Sequence, residues 1–118
     1  MIGCDIVEIE RIRSSLEKFG YKFLRKVLSD EELALYNKKR NGVEFLAGRF
    51  AAKEAVAKAF GTGISKEIGF GNLEILPDDR GKPTVYIKGN LRDDVQLTIS
   101  HAKSYAMAVC ILRDGASL

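Results

Sequence analysis

Tryptophan is absent from the 118 residues, histidine occurs once, and cysteine and proline occur twice each. These scarcities exclude several chemistries together. Cys4 and Cys110 stand in no CxxC or Cys/His pattern, so neither a zinc site nor a disulfide framework is expected, and both read as buried reduced thiols. No apolar run approaches the ~20 residues of a membrane span, so no membrane partner is expected. Asp5, Glu8, Glu10 and Arg11 interrupt the first residues before an apolar core of a secretory signal can form, which points to a cytoplasmic location. Strong charge of one sign is missing too: the net charge is +3, yet Arg11, Arg13, Lys18, Lys22, Arg25 and Lys26 crowd into one early segment. An acidic partner fits that placement, and so does a plain solvated face.

With 46% apolar and 30% charged residues, the chain has the composition of one globular domain spanning residues 1–118. Residues 2–7, IGCDIV, alternate as a strand, with Ile2, Cys4 and Ile6 on one face and Gly3, Asp5 and Val7 on the other. Ile9, Ile12, Leu16 and Phe19 then form a helical stripe that ends near Gly20, and it places Arg11 and Lys18 on a shared face. Ser29 and Glu32 make a capping box opening a helix that should close near Asn41 and Gly42. A long helix follows from about Val43 to Phe60, stopped by Gly61. Beyond it, LEIL and TVYI flank the turn residues PDDRGKP as a hairpin. The alternating Val95, Leu97 and Ile99 and the run YAMAVCIL make a second hairpin bent at TISHAKSY. The expected fold class is α+β, with helices packed on one side of a mainly antiparallel sheet.

The long helix poses a physical problem. Phe45, Ala52, Val56 and Ala59 lie on one side and Leu46, Phe50 and Ala57 roughly opposite, so protein should cover two faces. Arg49 with Lys53, and Glu54 with Lys58, fall in the narrow strips between, which should be grooves. A Glu54–Lys58 ion pair explains the second strip simply. Asp5 adds another carboxylate on a strand face able to meet the helix, and the small residues Gly61, Thr62 and Gly63 could bring backbone amides to an anion. Two carboxylates beside a lysine suit Mg²⁺ better than zinc, because Mg²⁺ keeps several waters and completes its shell with substrate phosphates. The lone His101, at a strand end in a bend, can bond a phosphate or hold a water.

The blocks GCDIVEIERI, FLAGRFAAKEAVAKAFGTG, GKP and TISHAKSYA together resemble the holo-acyl carrier protein synthases, the small bacterial branch of the 4′-phosphopantetheinyl transferases. The likeness runs from Gly3 to about Val109. It implies transfer of 4′-phosphopantetheine from coenzyme A to a serine of an apo acyl carrier protein, with release of 3′,5′-ADP. It implies Mg²⁺ held by Asp5 and Glu54, and Lys58 beside the diphosphate to neutralise charge on the departing 3′,5′-ADP. Glu54, directly or through a water on the metal, is the candidate base for the serine proton. Arg49 with Lys38, Lys39 and Arg40 become candidates for the 3′-phosphate, and Gly61, Thr62, Gly63, Pro83 and His101 for the nucleotide pocket. The acidic carrier protein would dock on Arg11 and Lys18, backed by Arg13, Lys22 and Arg25. The resemblance further implies a homotrimer whose sites draw residues from two chains. Cys4, where an aliphatic residue is usual, and Thr98, where serine is frequent, depart from the pattern without removing a proposed ligand.

Two other readings compete. A basic α+β module binding RNA through Tyr21, Tyr36 and Phe70 lacks a recognisable motif and leaves Asp5 and Glu54 unexplained, so no nucleic acid partner is expected. A Mg²⁺-dependent hydrolase of nucleotide diphosphates would use the same metal logic with water as nucleophile.

Overall fold

The computed structural model describes residues 1–118. Strand β1 (Ile2–Glu8) leads into α1 (Ile9–Phe19), α2 (Tyr21–Val27), α3 (Asp30–Asn37) and the long α4 (Gly42–Ala59). A 3₁₀ turn (Phe70–Asn72) precedes β2 (Leu73–Pro77), β3 (Pro83–Ile87), the short β4 (Asn90–Leu91), β5 (Val95–His101) and β6 (Tyr105–Leu112). The strands make two antiparallel three-stranded sheets, ordered β1-β6-β5 and β2-β3-β4. Both expected hairpins are present, so the architecture is α+β. One unexpected element is α2, a seven-residue helix that no apolar stripe announces. No helix is long and apolar enough to cross a membrane.

Local chemistry explains the elements. Ser29 and Glu32 form the capping box of α3: the Ser29 hydroxyl accepts from the Glu32 amide at 3.2 Å, and Glu32 Oε1 accepts from the Ser29 amide at 2.9 Å. That helix stops at Asn37, short of the expected Asn41, and the Asn41 side chain instead caps α4 by accepting from the Glu44 amide at 3.1 Å. In the β2–β3 turn, Asp78 Oδ1 accepts from the amides of Arg80 and Lys82, both at 2.9 Å, and Gly81 takes the positive φ of 84°.

Helix α4 is the centre of the molecule. Its alanine-rich side, with Val56, packs into a core with Leu73, Ile75, Val85, Leu97 and Cys110, while Leu46 and Ala47 join Ile9, Ile12, Val27 and Leu28 in a second one. Two sides are covered, but not divided as expected: Ala57 packs with Ala52, Val56 and Ala59 in the first core, and Phe45 joins Leu46 and Phe50 at the second. The strip of Arg49 and Lys53 is closed at Lys53, however, because that side chain is fully buried.

Strand β1 alternates as expected, but its apolar side points outward. Gly3, Asp5 and Val7 face inward, whereas Ile2, Cys4 and Ile6 are exposed. The cause is the closeness of the strand to α4: a β-carbon on Gly3 would stand 2.2 Å from the Ala55 carbonyl oxygen and 2.5 Å from the Ala59 nitrogen. Only a glycine facing two alanines permits that approach. Cys4 is therefore an exposed thiol, which corrects the expectation of burial, while Cys110 is buried and its thiol is pushed up to about 11 by the loss of solvation.

Candidate active site

The approach of β1 to α4 brings Asp5 to Lys58. The Lys58 ammonium donates to Asp5 Oδ1 at 2.9 Å, and this bond is the main reason its pKa is raised. The simple Glu54–Lys58 ion pair is thus replaced by a cross-element pair. Glu54 sits half-buried beside them, with its pKa raised chiefly by burial and further by the Asp5 charge, while Lys58 opposes the shift. Asp5, Glu54 and Lys58 line one groove of about 750 Å³. Its far wall is basic, from Arg11, Lys22 and Lys26, and its apolar lining includes Ile12, Phe19, Phe23 and Phe50.

The remaining docking candidates lie outside that groove. Arg13 pairs with Glu10 at 3.2 Å, Arg25 is paired with Asp30, and Lys18 stands 5.3 Å from the Phe19 ring centroid. Lys26 replaces them at the groove. The sequence marks it only as a member of the early basic cluster, because α2, the helix that presents it, has no stripe to show which way each lysine faces.

A second, smaller pocket of about 200 Å³ gathers Arg49, Pro83 and His101 with Pro77, Gly81, Thr98 and Ile99. The Arg49 guanidinium lies 4.4 Å from the Phe45 ring centroid, and Lys39 Nζ lies 5.6 Å from the same ring. Burial lowers the Arg49 pKa, against the pull of Glu32. Arg40 and Lys38 are exposed without side-chain partners. His101 reaches the pocket because Gly48 on α4 leaves room: a β-carbon there would stand 2.6 Å from His101 Nε2. Gly48 carries no sequence signal of its own.

Gly61, Thr62 and Gly63 line neither pocket. Their amides donate to helix carbonyls, Gly61 to Lys58 at 2.9 Å and Thr62 and Gly63 to Ala57 at 3.3 and 3.2 Å. The expectation that they face an anion is corrected: the end of α4 needs those donors for its own last carbonyls.

Against known proteins, the family model of the 4′-phosphopantetheinyl transferase superfamily matches residues 1–110. A holo-[acyl-carrier-protein] synthase from Halalkalibacterium halodurans is 48% identical over 112 residues, covering 93% of this chain and 92% of that relative. The chain belongs to the holo-[acyl-carrier-protein] synthases. Solved structures of such synthases agree in fold. That from Neisseria meningitidis superposes with a TM-score of 0.87 at 36% identity, over 96% of this chain and 97% of that one. That from Bacillus anthracis, in complex with CoA (3′,5′-ADP), gives a TM-score of 0.82 at 43% identity, over 94% and 93%.

Within this synthase fold the two pockets share no residue. Arg49 and Glu54 are separated by about 140° around α4 and by roughly 7.5 Å along it. The helical projection already assigns them to separate strips, and the structure opens those strips on two different pockets.

Proposed function

We propose that this protein transfers the 4′-phosphopantetheine of coenzyme A to a serine hydroxyl of an apo acyl carrier protein, releasing 3′,5′-ADP. The observation that carries this reading is the groove in which Asp5, Glu54 and Lys58 lie beneath the basic wall of Arg11, Lys22 and Lys26, in a chain of the synthase family. The wall suits an acidic carrier protein, which brings the nucleophile that the chain itself lacks. Glu54, directly or through a water on the metal, is the candidate base for the serine proton, and in the metal-free chain burial and the Asp5 charge raise its proton affinity. Lys58 stands beside the carboxylates to neutralise charge on the departing 3′,5′-ADP.

The carboxylates also fit Mg²⁺. No cluster of three or more His, Cys, Asp or Glu side chains occurs, so the chain offers no all-protein cage. Asp5 and Glu54 supply the one or two carboxylates that Mg²⁺ commonly takes, leaving positions for water and substrate phosphate. When bound there, Mg²⁺ would polarise the β-phosphate and hold it for in-line attack.

The Arg49 pocket, with Pro83, His101 and the nearby Lys39 and Arg40, is read as the site of the nucleotide and its 3′-phosphate. Because it opens on a different side of α4 from the carboxylates, one molecule does not make a complete site. A homotrimer with sites between copies accounts for this. It also accounts for the bare sheet face on which Ile2, Ile6, Met107 and Ile111 are exposed. Residues 1–118 then act as a single domain in the cytoplasm.

The direct test is the intact mass of a purified apo acyl carrier protein after incubation with this protein, coenzyme A and Mg²⁺. A gain of one phosphopantetheine that EDTA abolishes is expected, and no gain with several acidic carriers would overturn the assignment. Gly48→Ala, which pushes His101 off α4, should raise the KM for coenzyme A by about tenfold. A KM within twofold of the parent would remove His101 from the nucleotide site.

A further inference from the structure

Three charged side chains meet behind the Arg49 pocket. Glu32 and Lys53 are fully buried, and Lys53 Nζ donates to Glu32 Oε1 at 2.6 Å, to the Val27 carbonyl at 2.6 Å and to the Phe70 carbonyl at 3.3 Å. Glu32 Oε2 accepts from the Ile75 amide at 2.9 Å and lies 3.9 Å from Arg49 Nε. The transfer chemistry uses neither Glu32 nor Lys53. For stability alone, a well-packed apolar pair commonly serves as well as a buried ion pair.

Arg49 differs from the other two in having free ends. Its Nε donates to the Ile75 carbonyl at 3.1 Å and its plane rests near Phe45, whereas its two terminal nitrogens have no protein partner and open on the pocket of Pro83 and His101. The charges of Glu32 and Lys53 cancel across the short contact between them. Arg49 keeps its own. Without Lys53, the nearest cation to the buried carboxylate would be Arg49, already 3.9 Å away, and its charge would be neutralised from behind.

We propose that Lys53 is a positioning residue for anion binding: by saturating Glu32 it leaves the Arg49 guanidinium unneutralised toward the pocket, where it receives the 3′-phosphate of coenzyme A. The inference rests on the reading of that pocket given above. It assigns the lysine next to Glu54 a task on the opposite side of α4 from the carboxylates.

The test is calorimetric binding of 3′,5′-ADP and 5′-AMP to the whole protein, since the ratio of the two affinities isolates the 3′-phosphate. Arg49→Gln should reduce that ratio by roughly tenfold or more, the scale of a charge-assisted hydrogen bond. Lys53→Met should reduce it comparably, because Glu32 then captures Arg49. Glu32→Gln/Lys53→Met, which removes both charges, should restore the ratio to within about threefold of the parent. Such rescue is not expected of a residue that merely packs. If Lys53→Met does not fold, the double variant and Glu32→Gln alone decide, and a tenfold loss in both overturns the proposal. A loss with Arg49→Gln but none with folded Lys53→Met leaves the pocket reading intact and refutes the role of Lys53. No change with Arg49→Gln refutes the pocket reading itself, and the role of Lys53 falls with it.

Discussion

Replacing Glu54 with glutamine is expected to cut phosphopantetheine transfer by about three orders of magnitude while leaving the fold at least as stable. On the proposed mechanism the loss would combine a missing base, ordinarily worth ~10²–10⁴-fold, with a weakened Mg²⁺ ligand. The stability half follows from the sign of the pKa shift. Burial and the Asp5 charge raise Glu54 above its ordinary value, so at neutral pH the ionised carboxylate is less comfortable in the folded chain than in the unfolded one. Glutamine keeps the shape and removes that cost. A thermal melt and a mass-spectrometric rate at saturating Mg²⁺ check both halves together. Activity within threefold of the parent would remove Glu54 from the mechanism. A melting temperature several degrees lower would mean that its charge supports the fold instead.

Glu32→Ala is the second large expectation, and it falls on stability. The change strands Lys53, leaves the Ile75 and Ser29 amides without their acceptor and dismantles the capping box of α3. Breaking a buried pair on one side typically costs about 3–5 kcal/mol. Against a usual domain stability of ~5–15 kcal/mol, that is a large share. Urea unfolding followed by circular dichroism should show the midpoint collapse, whereas Glu32→Leu/Lys53→Met should recover most of it. A shift below about 1 kcal/mol would show that the pair is dispensable and that water reaches the site.

How much of this was legible in the sequence depended on the range of the forces involved. Strand β1, the capping box, α4 and both hairpins are written in local periodicity and turn chemistry, and their expected bounds lie within a few residues of those in the structure. Asp5 and Glu54 are paired through the family resemblance, because the period of β1 sets Asp5 opposite Cys4 without saying which of the two faces α4. Lys53 could not be read as buried, since its partner Glu32 is on another helix and had already been given a local task as a cap. Cys4 was misplaced for a related reason: the inward side of β1 is decided by how closely Gly3 lets the strand approach Ala55 and Ala59. The amides of Gly61, Thr62 and Gly63 show the reverse error, a loop composition that looks like an anion cradle but satisfies the end of its own helix.

The order of strands has a consequence during synthesis. Strand β1, which carries Asp5, pairs only with β6, and Asp5 lies opposite Ala108. A nascent chain therefore holds an unpaired first strand through the making of every helix and both strands of the first hairpin. The backbone of β1 finds a strand partner only when β6 arrives, although α4, against which it packs, is made much earlier. A ribosome-bound chain lacking β6 should consequently hold every residue that lines the larger groove while β1 still exposes an unpaired edge.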